Sequence, residues 1–103
     1  MIEVVMTHDF LPGVDPKVWE EFSRKAVGQV LNAPGLVELR ANRNMLGGAQ
    51  VRTTTVWRTL ADWAKFAEDA GYRSLETEMR SMATNIQVEV WGPSPVVPEP
   101  LRP

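Results

Sequence analysis

Residues 51–72 read VRTTTVWRTLADWAKFAEDAGY, a strand composition running straight into a helix composition. The first seven are rich in β-branched side chains, which suit a pleated, half-buried surface. Thr59-Leu60-Ala61-Asp62 then resembles a capping box with Asp in place of Glu, and it opens a helix whose apolar stripe is Leu60, Trp63, Ala64, Ala67 and Ala70. Gly71 is expected to interrupt that helix. Beyond it Tyr72, Leu75, Met79 and Met82 recur on one face of a further helical stretch, with Glu76 and Arg80 paired outside.

Upstream, MIEVVMTH alternates, so Ile2, Val4, Met6 and His8 point one way and Glu3, Val5 and Thr7 the other, as in a strand. LPGVDP makes a turn, with Asp15 as N-cap and Pro16 at the first helical position, where a missing N–H costs nothing. The helix that follows reaches about Asn32. Its stripe is Trp19, Phe22, Ala26 and Val30, widened by Val18, Val27 and Leu31, with Glu20/Arg24 and Glu21/Lys25 as solvent-facing pairs. Pro34 and Gly35 end it, and LVELRAN (36–42) is a second strand with Val37, Leu39 and Ala41 on one side. Gly47-Gly48 marks a loop into the strand at 51–57.

Downstream, TNIQVEVW (84–91) is a fourth strand, with Ile86, Val88 and Val90 inward. Residues 93–103, PSPVVPEPLRP, hold five of the eight prolines and form a proline-rich tail that joins neither a sheet interior nor a helix. The order is β-α-β-β-α(α)-β, an α+β ferredoxin-like βαββαβ domain over residues 1–92. Right-handed crossovers place the helices on one face of a four-stranded antiparallel sheet. Strand phase puts His8, Thr53, Thr55 and Trp57 on the helix side, and leaves Glu3, Val5, Glu38, Arg40, Arg52, Val56, Glu89 and Trp91 on the open side.

The totals narrow the function classes. With 103 residues the chain makes one domain, and 44 % apolar with 23 % charged residues is an ordinary globular composition. Eleven basic and thirteen acidic side chains leave a net charge of −2, which offers no footprint for nucleic acid or an anionic membrane. The absence of cysteine excludes disulfides, thiolate nucleophiles and cysteine metal sites. The N-terminus has no basic region and no apolar run spans a membrane, so a cytoplasmic location is expected. Glycine-rich phosphate loops, zinc-protease and serine-hydrolase motifs do not occur, and no metal-ligand set is clustered in sequence.

The combination of Pro-Gly before strand two, a third strand closing in Val-Trp, a helix, then Gly-Tyr, a short helix and a last strand ending in Trp resembles the antibiotic-biosynthesis monooxygenase family, over about residues 2–92. That family consists of dimeric α+β barrels and includes quinol oxygenases and haem-degrading relatives. The resemblance implies a homodimer through the open sheet face and a small-molecule pocket between sheet and helices. It also implies oxygenation of a small aromatic (quinol, phenol or anthrone-like) without a bound cofactor. Trp57 matches the Trp that closes the third strand, and Tyr72 the aromatic that opens the last helical segment. Phe66 stands where members often place His or Trp as a pocket residue. Haem-degrading members carry an Asn on strand one and a His on the last helix, whereas strand one here offers Met6, Thr7 or His8 and the helix offers Glu76, which argues against haem.

His8 is the only histidine, and the only side chain whose ordinary pKa lies near neutrality. It is read either as a strand-end histidine with one hydrogen bond or as a pocket base; Asp9 points to the opposite side. Under the enzyme reading His8 is the base and Tyr72 a donor to a substrate oxygen. Phe66, Trp57 and Met79 then form walls, with Thr53 and Thr55 beside them. Under the alternative, the chain is a non-catalytic dimeric α+β barrel that binds a small apolar ligand or serves in assembly.

Overall fold

A computed structural model describes all 103 residues. The chain runs β1 (Ile2–Phe10), α1 (Pro16–Leu31), β2 (Leu36–Arg43), β3 (Val51–Trp57), α2 (Leu60–Ala67), α3 (Ala70–Arg80) and β4 (Ala83–Trp91). All neighbouring strands are antiparallel, in the order β2-β3-β1-β4. This is the ferredoxin-like α+β arrangement, with the helices on one face.

Local chemistry accounts for the helix ends. The Asp15 carboxylate accepts from the Lys17 N–H at 2.9 Å, and Pro16 follows it. Thr59 Oγ1 accepts from the Asp62 N–H at 3.1 Å. Asp62 lies against Gly35, so closely that a Cβ on Gly35 would overlap its carboxylate. Gly35 also has φ +89°, a left-handed value that favours glycine at the turn into β2. Gly71 does not break the helical layer, contrary to expectation. The break falls at Glu68–Asp69, because the Asp69 carboxylate accepts from the Gly71 and Tyr72 N–H groups and starts α3 anew. Ala70 therefore belongs to α3.

The core sits between α1, α3 and the sheet, where Phe22, Leu75, Met79, Met82 and Ala83 pack with Met6, Trp19, Ala26 and Ile86 against them. It is narrower than the periodicity implied. Val18, Val27, Leu31 and Leu60 are exposed, since the flanks of α1 and the start of α2 have nothing packed on them. Lys25 reaches across to Glu78 at 2.9 Å instead of pairing with Glu21. Glu20–Arg24 and Glu76–Arg80 form as expected, at 2.6 and 3.7 Å.

Strand phase holds along β1 and β3, where Ile2, Val4, Met6 and His8 face Trp57, Thr55, Thr53 and Val51. Two irregularities adjust it elsewhere. A register shift between Leu36 and Glu38 gives Leu36 the place opposite Trp57, so Val37 turns outward and is 49 % exposed. A second shift, between Thr7 and Asp9 against β4, coincides with the positive φ of Asn85 (+53°). Val88 and Val90 keep their inward phase but are exposed, as is Ala41, because the helical layer stops short of both sheet margins. Residues 92–103 form neither helix nor strand, and Val96 and Leu101 are exposed.

The open face carries an ion cluster in which Arg40 pairs with Glu38 and, at 3.1 Å, with Glu3. Thr54 lies among these longer side chains and is buried.

Candidate functional site

The aromatic side chains of the sheet–helix space form two separate groups. At the end of β1 that adjoins α1, the His8 ring lies 5.4 Å from Phe10, edge to face, and 5.1 Å from Trp19; Trp19 in turn stands 4.8 Å from Phe10 and 5.3 Å from Phe22. At the opposite end of the strand ladder, Trp57 lies 5.2 Å from Phe66, which lies 4.7 Å from Tyr72. Trp57 pairs with Ile2 and Val51 with His8. Six residues of strand separate those rungs, roughly 20 Å at about 3.3 Å per residue.

The structure thus brings Trp57, Phe66 and Tyr72 together, and places His8 apart from them. Thr53 and Thr55 line the strip between, and Thr55 Oγ1 accepts the Trp57 indole N–H at 2.8 Å. Met79 is buried in the core with Phe22 and Leu75.

His8 is only 1 % exposed, and its Nδ1 is buried with no hydrogen-bond partner. A buried, unpaired polar atom is costly, and it marks a place where a partner is missing or a proton is handled. Burial pulls the imidazole pKa below its ordinary value of 6.5, against weaker opposing pulls from the Asp9 backbone as a hydrogen-bond acceptor and from the Asp9 charge; the Asp9 backbone approach falls short of hydrogen-bond geometry at Nδ1. His8 is therefore a neutral base at neutral pH. Asp9 points the other way, as alternation requires. Its Oδ1 accepts from the Gln50 N–H at 2.9 Å and its Oδ2 from Asn85 Nδ2 at 3.2 Å, so it ties the bulge to the β2–β3 loop. Burial, then the Glu76 charge, pushes Tyr72 above its ordinary 10.0, which keeps its hydroxyl protonated as a donor.

Burial of His8 couples stability to acidity. In the unfolded chain His8 takes up a proton near 6.5, while the folded chain resists it until lower pH. Over that interval the unfolded state binds more protons, so the contribution is fully present above 6.5 and is lost as pH falls toward the folded pKa. Urea midpoints taken at about pH 7.5 and about pH 5.5 are expected to fall further for the native chain than for His8→Gln. Equal falls would remove His8 from the acid sensitivity.

The surface carries several hollows, two of which border residues of interest. One, of about 470 Å³, is bordered by Phe10, Ala41, Arg43, Asn44, Gln50 and Val51; the other, of about 450 Å³, lies among Ala67, Arg73, Glu76, Thr77 and Arg80. The first adjoins the His8 group, since Phe10 belongs to both. Phe10, Trp19 and Arg43 were not singled out for the site by sequence reasoning. Continuing the alternation of β1 by one step finds Phe10, and extending β2 by one residue finds Arg43; Trp19 was visible only as a core position. No three His, Cys, Asp or Glu side chains gather as a metal-holding group. No helix is long and apolar enough to cross a membrane.

No family model matches the chain, and no curated protein matches it. Among solved structures it is similar to SnoaB, a cofactor-independent oxygenase from Streptomyces nogalater, at 15% identity over 95% of this chain and 97% of that chain, with a TM-score of 0.77. It is also similar to a protein from Nitrosomonas europaea proposed to be an antibiotic biosynthesis monooxygenase, at 16% identity over 89% and 97% of the two chains, TM-score 0.73. A third similar structure is the hydroxynitrile lyase of Passiflora edulis, at 13% identity over 87% and 90%, TM-score 0.76. At such identities the likeness is one of fold. It agrees with the family resemblance carried by the sequence, and it spans more than one chemistry.

Proposed function

We propose that the chain is a cofactor-independent monooxygenase of a small acidic aromatic, with His8 as the base. One observation carries this reading: the single imidazole of the chain is sealed among aromatic rings, held neutral, and keeps an unpartnered Nδ1. A neutral base in an apolar enclosure suits abstraction of a proton from an acidic C–H or O–H. With an anthrone-like methylene as substrate, His8 takes one proton, and the carbanion transfers its electrons to dioxygen and forms a C–O bond. The imidazolium returns its proton to the peroxide, and loss of water leaves a ketone. The substrate is oxidised, dioxygen is reduced, and no further reductant is needed.

Of the residues expected to touch the substrate, Thr53 and Thr55 lie on the strip beside His8 and remain the proposed contacts of a small aromatic held there. Trp57, Phe66 and Tyr72 stand too far along the ladder to touch it as well, and Met79 is packed in the core. The test is oxygen uptake with anthrone and with hydroquinone, measured with purified chain and without added metal or flavin. Uptake no faster than in buffer with either compound would end the reading.

A second reading has its own support. Phe66 is held between Trp57 and Tyr72, and Tyr72 lies far from His8, as suits rings that only fill a core. On that reading the chain is a non-catalytic dimeric barrel that binds an apolar molecule, and it takes up no oxygen.

Both readings share a homodimer through the open sheet face. Only nine of 103 residues are buried in the single chain, and a whole sheet face has no layer over it, so a second copy would supply the missing cover. Arg40→Glu places three like charges together on that face and is expected to shift the chain from dimer to monomer in sedimentation. A variant that sediments as the native chain does would place the interface elsewhere.

A further inference from the structure

Arg43, Val51 and His8 stand in one row across three strands. Val51 is the cross-strand partner of both Arg43 on β2 and His8 on β1. All three belong to the helix-side phase, and the ends of the row are two strand spacings apart, about 10 Å at the backbone. An open hollow of about 470 Å³ is bordered by two members of this row, Arg43 and Val51, together with Ala41 and Phe10, while His8 does not line it. Phe10 is also the ring in edge contact with His8. Phe10 thus touches both the hollow and the imidazole.

The lining has a definite chemical character. Of its nine residues Arg43 is the only charged one. Its guanidinium has no carboxylate partner, and its one polar contact is the Met45 sulfur at 4.0 Å. The rest is amide (Asn42, Asn44, Gln50), exposed backbone at Gly47 and Gly48, and apolar floor. A planar guanidinium free at the rim of an apolar-floored hollow is suited to a carboxylate. The volume of the hollow matches small-molecule sites, but it is an open surface hollow that would leave part of the ligand in water.

Resting on the reading of His8 as a base, we propose that this hollow seats an aromatic carboxylate. Arg43 holds the carboxylate while the ring lies over Val51 against Phe10, and the acidic hydroxyl or methylene is thereby directed along the row toward His8. Because His8 does not itself border the hollow, proton transfer on this proposal requires the Phe10 ring to turn aside once the carboxylate is held. The substrate class is accordingly an acidic phenol or quinol that carries a carboxylate at the end remote from the proton to be removed.

The test compares hydroquinone with gentisate, which is hydroquinone bearing one carboxylate. Because His8 is the only histidine, its imidazole resonances report binding at the row without ambiguity. Titrations at low salt are expected to move those resonances with both compounds, with gentisate binding roughly five- to tenfold more tightly. Arg43→Gln is expected to erase that preference and Arg43→Lys to restore part of it. Arg43 is exposed, so both variants should fold, which a melting curve confirms. Equal affinities for the two compounds, no movement of the His8 signals, or a preference that survives Arg43→Gln would each overturn the proposal. Oxygen uptake separates this result from the preceding reading. Arg43-dependent binding of gentisate without turnover leaves the seat standing and removes the oxygenase. Turnover that is indifferent to the carboxylate and to Arg43 does the reverse.

Discussion

His8→Gln is expected to lower oxygen uptake by about 10²–10⁴-fold, the usual contribution of a positioned general base. Glutamine retains polar atoms and a comparable length, so the aromatic group around position 8 can close over it. It cannot take a proton at neutral pH. The loss should fall on kcat, with KM nearly unchanged, because seating of the substrate depends on other side chains. A second signature comes from pH. In the native chain the rate should fall on the acid side as the imidazole becomes protonated, at a pH below the ordinary 6.5 because burial opposes the charge. The variant should lose that limb of the profile. Turnover within a factor of about two of native would leave His8 a buried structural ring with no part in proton transfer.

Trp57→Ala is expected to cost roughly 3–5 kcal/mol of stability. Trp57 is 1 % exposed, stacks 5.2 Å from Phe66, and donates its indole N–H to Thr55 Oγ1. Truncation removes the packing, opens a cavity beneath Phe66, and leaves the Thr55 hydroxyl without its donor. Domains of this size have total stabilities of about 5–15 kcal/mol, so the loss is a large fraction of the whole. Trp57→Phe keeps most of the ring volume and should lose distinctly less. Urea unfolding of the three proteins measures both differences. A cost below about 1 kcal/mol for the alanine variant would mean that the Trp57–Phe66–Tyr72 group is not part of the folded core.

Most of the fold was legible in the sequence because the signals were local. Alternation in β1, the β-branched run of β3, Asp15 and Thr59 as caps, and the prolines after Trp91 each act through a few neighbouring residues. The misreadings arose where a distant part of the chain decides the outcome. Val37 and Leu36 exchange roles through a register shift that depends on pairing with β3. Asp69 overrides Gly71 because a side-chain cap is stronger than a weak helix former in a first turn. The site was less legible. Phase correctly sent His8 inward, yet its separation from Tyr72 follows from where each sits along the ladder, which alternation alone does not show. Arg43 was missed because β2 runs one residue further than its apolar pattern.

The exposed margin at β4 has a consequence for the behaviour of the chain in concentrated solution. β4 is a terminal strand of the sheet, so one row of its backbone groups is free, and Val88 and Val90 put apolar side chains beside that row. Such a border can recruit extended segments from other molecules and grow into fibres. The prolines that begin at Pro93 lack the N–H needed to prolong the row, so any recruited ladder ends where β4 does.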